Sequence, residues 1–236
     1  RYAMSKIFIS AKCPEDWNRL LAEPEKHWRR GYSARTLAYC WQEADGFPSS
    51  VKNTFKDSGI ELFHDVKLIV AFPEYWAALK PYMSQPSQSE IFALARTGNG
   101  RLISVAVEGK VDEPCDRAVA DWQLTDMGNK QTRLKFLSDE LERTKADIEH
   151  IRYQLLRMTA SALLEAQRFN ATNALMLIHS FSRFEGSENK SLQDYCAFVS
   201  SFGKRGRMNS VVFVKNVNGI DLYLAWVNGE RKYLES

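Results

Sequence analysis

Two apolar runs dominate the middle of the chain, residues 91–95 and 102–107, and they flank Thr97-Gly98-Asn99-Gly100. Glycine and asparagine tolerate positive φ, so this pattern predicts a β-hairpin. Upstream, residues 66–72 are apolar and rich in β-branched side chains, and they read as a buried strand. Downstream, residues 131–170 have a helical period, with Ile148, Ile151, Leu155, Met158, Ala162 and Ala166 on one stripe. Charges within residues 139–149 mark a solvated face or a break between two helices. Residues 173–181 are short and apolar and read as a further buried strand. A helix over 192–202 ends at Gly203, and strands over 210–214 and 220–227 are joined through Asn218-Gly219.

The flanks add helices. Residues 5–9 predict a short strand or an extended lead-in, and Pro14 opens a helix with Glu15 and Asp16 in its first turn. Ser33 is the expected N-cap of a helix carrying Leu37, Cys40, Trp41 and Ala44, which Gly46 and Pro48 stop. Another short helix starts at Pro48 and ends near Gly59. Residues 81–88 predict a loop, and 112–129 an irregular stretch anchored by Trp122. Helices, three strands, a long helix and further strands together predict an α/β fold. Its central sheet is mixed, with an antiparallel meander flanked by helices, rather than doubly wound and parallel. The expected division is an N-terminal extension over 1–32 and one α/β domain over 33–236. Within that domain the core spans about 33–181, and 182–236 elaborate it.

Composition changes this picture little. A chain of 236 residues can bury a sizeable core, and a net charge of +3 neither requires nor excludes a polyanionic partner. No apolar run reaches about 18 residues, so no membrane-spanning helix is expected. The first residues lack the apolar core of a signal peptide, and a cytoplasmic location is expected. The four cysteines and four histidines are scattered without metal-ligand spacing, so they read as reduced thiols and packing residues, not a zinc site.

The hairpin holds the candidate chemistry. Glu90 opens its first strand, and Glu108-Gly109-Lys110 ends its second. Residues two apart on a strand share a face, so Glu108 and Lys110 project together. Two carboxylates can hold Mg2+ or Mn2+, hard ions that prefer few protein ligands, several waters and substrate phosphate. A neighbouring lysine can orient water or stabilise charge on phosphorus. The plain alternative is an ion pair worth about 0–1 kcal/mol. Register discriminates between these. An even four-residue loop would set Glu90 across from Val107, facing away from Glu108. A three-residue loop or a bulge would bring the two acids opposite one another.

With these residues, the chain resembles the PD-(D/E)XK nuclease superfamily, the restriction-endonuclease-like fold. That core is helix, three-stranded meander, helix, strand, and the likeness spans about residues 33–181. The segments around Glu90, around Glu108-Gly109-Lys110, and over 152–166 resemble a bacterial family of uncharacterised proteins assigned to that superfamily. The resemblance implies that Glu90 and Glu108 bind metal and that Lys110 serves catalysis. Glu90 departs from the usual pattern, where aspartate is common. Gln154, on the margin of the helical stripe, matches a glutamine that some members place near the metal or nucleic acid. The implied activity is metal-dependent hydrolysis of DNA phosphodiesters, in DNA processing or defence. RNA is the other possible substrate, and homodimers occur in such nucleases. The alternative is a catalytically inactive nucleic-acid- or protein-binding module on the same fold.

Other residues are weighed against plainer roles. Arg152 and Arg157 can meet phosphate or solvate a helix face. Lys204, Arg205 and Arg207 form a basic loop that, with Arg29, Arg30 and Lys215, can contact a nucleic-acid backbone. Glu43 reads as solvated surface, Asp112 and Glu113 as outer contacts or strand terminators, and His179 as a satisfied core histidine.

Overall fold

A computed structural model describes residues 11–77, 87–123 and 127–236. Six strands form one mixed sheet in the order β1-β2-β3-β4-β6-β5. They are β1 (Val66–Ala77), β2 (Ser87–Thr97), β3 (Leu102–Lys110), β4 (Asn173–Ser180), β5 (Ser210–Val217) and β6 (Ile220–Asn228). The first three form the expected antiparallel meander, β4 lies parallel to β3 and β6, and β5 returns antiparallel on the far edge. The mixed α/β architecture expected from the element order is therefore present.

The helices are α1 (Pro24–His27), α2 (Ser33–Gln42), α3 (Ser49–Asp57), α4 (Val119–Gln123), α5 (Met127–Glu140), α6 (Lys145–Ile148), α7 (Tyr153–Arg168) and α8 (Lys190–Ser200). The two faces of the sheet carry separate apolar layers. One joins α5, α7 and α8 to Ala106, Met176, Ile178 and Leu224. The other joins α2 and α3 to Ile91, Val105, Val107, Leu175 and Leu177. Alternate residues of β3 and β4 thus face opposite cores, which is why these strands read as unbroken apolar runs. All six residues of the expected stripe are buried, Ile148 at the end of α6, Ile151 before α7 and the other four in α7; each large one contributes about 1.5–3 kcal/mol through the surface it removes from water.

Several expectations shift. Residues 66–72 belong to an edge strand, where Ile69 is 44% exposed, so β1 is half-buried rather than enclosed. Residues 14–20 form a 3-10 helix that buries Trp17. Residues 112–129 are not wholly irregular, because they contain α4 and the start of α5, and Trp122 stacks on Tyr153. The long helical region is broken at its charged stretch, where Thr144 and Asp147 form a capping box at α6. Ser33 is the first helical residue of α2 and not its cap. The expected strand at 5–9, and most of the expected loop at 81–88, lie outside the described residues.

The topology gathers several element ends at one end of the sheet. A parallel partner for β3 requires the chain to cross back, so α7 starts where β3 ends. The carboxyl ends of β1, β3, β4 and β6 therefore share one rim with the starts of α7 and β2. Behind that rim, buried His179 is held by Trp41 Nε1, which donates to Nδ1 at 3.0 Å, and by Ser50 Oγ, 3.0 Å from Nε2. Burial pushes its pKa down to about 3, so it is a neutral, satisfied core histidine.

Gly229 closes the rim against this histidine. A Cβ there would lie 2.3 Å from Phe181 Cε1 and 2.9 Å from His179 Nε2. Gly229→Ala is expected to lower stability by about 1–3 kcal/mol, the usual range for forced overpacking, measured as a shift in the urea midpoint.

Candidate functional site

The site begins with hairpin register. Arg96 pairs with Leu102 and Ile91 with Val107. Thr97 N donates to Arg101 O at 2.9 Å, leaving Gly98, Asn99 and Gly100 as a three-residue connection, with Gly100 at φ 87°. One step beyond the last pair, this odd register sets Glu90 across from Glu108. On the other side, the pairs Pro73 with Ile91 and Tyr75 with Ser89 bracket Glu74 opposite Glu90. Glu74, Glu90 and Glu108 thus form one cross-strand row over β1, β2 and β3. Like charges directly opposite one another destabilise a sheet, so two such pairs side by side are unfavourable for the fold alone.

Each acid has a separate environment. Glu90 Oε2 accepts the Gly109 N–H at 2.5 Å, and Glu90 Oε1 accepts Ser33 Oγ–H at 3.2 Å. The carboxylate lies over Gly109, where a Cβ would come within 2.7 Å of Oε2 and 3.4 Å of Leu37 Cβ. This close approach explains the glycine between Glu108 and Lys110. Glu108 is buried and accepts a hydrogen bond from Gln154 Nε2 in the first turn of α7. Lys110 Nζ lies 3.8 Å from Glu108 Oε1, and both side chains are at most 10% exposed. Gln154 Oε1 is buried with no hydrogen-bond partner among the described residues. Glu74, in the left-handed region at φ 48°, is buried and accepts Gln88 Nε2–H at 2.6 Å.

Two adjoining clefts open over this row, of about 200 and 540 Å3. Both are lined by Glu90, Glu108, Ser33, Tyr32 and His27. The smaller adds Glu74, Gln88 and Arg157; the larger adds Lys110, Asp112, Glu113 and Arg183. Arg157 donates to Ser87 Oγ at 3.0 Å and to Gln88 O, tying α7 to the start of β2 beside the acids.

Burial raises the Glu90 carboxyl well above the usual range, and the charges of Glu108 and Glu74 add to it. Burial also raises Glu108, against the pull of Lys110 and Arg157. For Glu74, burial and then Glu108 push the pKa up to about 8. Burial opposes the charge on Lys110, but Glu108, then Cys115, Glu113 and Glu90, outweigh it and hold the ammonium charged. Among the described residues, no group of three histidines, cysteines or acids stands close enough to cage a metal.

The structure gathers Glu90, Glu108, Lys110 and Gln154 at one place. Arg152 is committed elsewhere, with Nε 2.8 Å from Asp194 Oδ1. Lys204, Arg205 and Arg207 are exposed in the loop entering β5, at the same end of the sheet. That strand is three places from β3, or roughly 14 Å at the usual strand spacing. Lys215 pairs with Glu142 at 2.6 Å, and Asp112 pairs with Arg183 at 2.9 Å. Glu113 Oε2 accepts the Val111 N–H, and Glu43 is exposed. Glu74 is the site residue that sequence reading missed. Its signal is an acid straight after Pro73, at a distance from the hairpin that only the β1–β2 register resolves.

The acid row makes stability depend on pH. An unfolded glutamate titrates near its ordinary value of 4.5, and folded Glu74 near 8. The proton is bound more tightly in the fold, so this contribution is complete below about pH 4.5 and is lost as pH rises through 8. The metal-free protein is expected to melt at a higher temperature at pH 5.5 than at pH 8.5, and Glu74→Gln to flatten that difference. Thermal melts across this range check it, and an identical slope in both proteins contradicts it.

No curated protein and no solved structure matches the chain. A family model described as "Domain of unknown function (DUF6946)" matches residues 10–231, nearly the whole chain including every residue of the site. The chain belongs to that family.

Proposed function

We propose that the protein is a divalent-metal-dependent nuclease that hydrolyses DNA phosphodiester bonds. The observation that carries this reading is the odd register that sets Glu90 opposite Glu108, with Lys110 beside Glu108 on an open cleft. The order α2, β1–β3, α7, β4 is the one expected of a restriction-endonuclease-like core, which supports this reading.

The donors suit Mg2+ or Mn2+. They are hard carboxylate oxygens, and the unpartnered Gln154 Oε1 adds another buried oxygen beside them. Glu90 and Glu108 would hold the ion, which when bound polarises a phosphoryl oxygen and lowers the pKa of a bound water. Gln154 fixes the Glu108 carboxylate by its hydrogen bond. Gly109 N–H and Ser33 Oγ fix Glu90 in the same way. Lys110, charged and almost wholly buried, presents its ammonium where negative charge grows on the phosphorane oxygens. The buried Lys110–Glu108 pair itself supports a functional reading. Desolvation of both groups opposes the attraction of a buried pair at 3.8 Å, so such a pair is a weak device for stability and fits a functional role better.

Cleavage of plasmid and single-stranded DNA and RNA, with Mg2+ or Mn2+, tests this. Lys110→Ala and Glu108→Gln are each expected to lower the rate by about 100-fold or more, as when one preorganised transition-state contact is removed. Rates equal to the wild type in both variants would end the mechanism. An inert wild type would instead favour the binding-module alternative.

Gly109→Ala is a subtler test. Its methyl group pushes the Glu90 carboxylate from the Gly109 N–H without removing any ionisable group. The expected result is a loss of cleavage of about tenfold or more, following misplacement of a reacting group by about an ångström. A higher Mn2+ requirement should accompany it, and a metal titration of the rate reads both.

A further inference from the structure

Arg29, Arg30, Gly31 and Tyr32 form a turn at the mouth of the cleft. Tyr32 N donates to Arg29 O at 3.1 Å, and Gly31 takes φ 74° to make the bend. The next residue, Ser33, touches Glu90, so the turn stands one residue from the acid row. Tyr32 lines both halves of the cleft together with Glu90 and Glu108. Its side chain is 46% exposed, and among the described residues it makes no ring contact and no side-chain hydrogen bond. Nearby rings differ, since the Arg35 guanidinium covers Trp28 at 5.7 Å and Tyr39 at 5.4 Å. Arg30 is exposed and has no ion-pair partner among the described residues, whereas Arg29 is tied to Glu25 O.

We infer that this turn is a nucleotide-binding rim, at which Tyr32 stacks on an unpaired nucleobase and Arg30 meets the adjoining phosphate. The substrate of the site is then a single strand or a frayed end. The inference rests on the nuclease reading and narrows it. A free aromatic face attracts a base of any identity, because every base has a π-face, but only when that base has left its own stack. A base inside a duplex has both faces covered. The bound cation and Lys110 would serve the one phosphate over Glu90 and Glu108, and a cation at the rim adds a contact for the adjoining phosphate of the strand. An aromatic ring and an unpaired arginine two residues apart supply both contacts.

Binding is measured by fluorescence anisotropy with the full-length Lys110→Ala protein in Mg2+, so that the strand survives. The probes are a labelled twelve-residue oligothymidine, the same length without bases, and a duplex of that length. The expected result is that Tyr32→Ala weakens binding of the oligothymidine about tenfold, while Tyr32→Phe and Tyr32→Trp keep it. The abasic strand and the duplex should not respond to Tyr32→Ala, and Arg30→Ala should weaken all three probes while reducing their salt dependence. A second measurement needs no variant at position 32. Photocrosslinking of 5-iodouracil oligonucleotide to the otherwise unaltered protein should map to Tyr32.

Equal affinity of Tyr32→Ala and its parent for oligothymidine, or crosslinks that map away from the turn, overturn the inference. Cleavage by the wild type would in that case still stand, and with it the nuclease reading. If the wild type neither cleaves nor binds any of these nucleic acids, that reading falls and takes the inference with it.

Discussion

The site depends on a count of residues in one turn. Strand side chains alternate with a period of two, so a single residue more or less between β2 and β3 would send Glu90 to the other face. Three residues close the hairpin, and Glu90 comes opposite Glu108. The same alternation sends Ile91 and Val107 into the layer under α2, and Ala106 into the layer under α7. Hydrophobic burial on both faces therefore enforces the register that brings the acids together. A one-residue slip would send each of these side chains into the opposite layer, where its size no longer matches its neighbours, at a cost of about 1–3 kcal/mol for each misfit.

This enforcement lets the rim carry groups that the fold by itself disfavours. Three carboxylates in one row repel each other, and burial raises all three carboxyls above their usual range. The surroundings answer with donors rather than with counter-charges alone. Gln88 serves Glu74, Gly109 and Ser33 serve Glu90, and Gln154 serves Glu108. Lys110 is the buried cation nearest the row, and Arg157 adds a second positive charge while clamping β2 to α7. A cation entering this cleft would relieve the repulsion that the fold sustains in its absence. Such local conflict inside a well-packed frame is the expected mark of a functional site.

Most of the frame is legible in the sequence because its strands and helices carry strong periods. β3, β4 and α7 are marked by apolar runs and a stripe that no other element can bury. Glu108 and Lys110 are legible for the same reason, since they end an apolar strand. Glu74 is not, because its role depends on pairing between β1 and β2 across a connection whose length does not fix register. Ser33 reads as a cap because a serine at a helix start normally plays that part, but Tyr32 takes the N-cap position, and Ser33 Oγ, one residue inside, donates to Glu90. Arg152 reads as a free helix cation until Asp194, distant in sequence, is placed against it.

The length of the side chain at position 90 has a physical reason. Glu90 is the first residue of β2 beyond the last pair with β3, and its carboxylate must still reach across to β3. The added methylene carries Oε2 onto the Gly109 N–H and Oε1 to Ser33 at the start of α2. An aspartate from the same Cα would fall about 1.5 Å short, one carbon–carbon bond, and leave that N–H without its acceptor. The glycine at position 109 is the counterpart of this choice, because only a residue without Cβ leaves room for the longer side chain. Glu90, Gly109 and Ser33 thus form one unit drawn from β2, β3 and α2, which locks the acid before any ligand arrives. The reach of the glutamate at position 90 is therefore matched within the fold, and it places the carboxylate over the strand that carries Glu108 and Lys110.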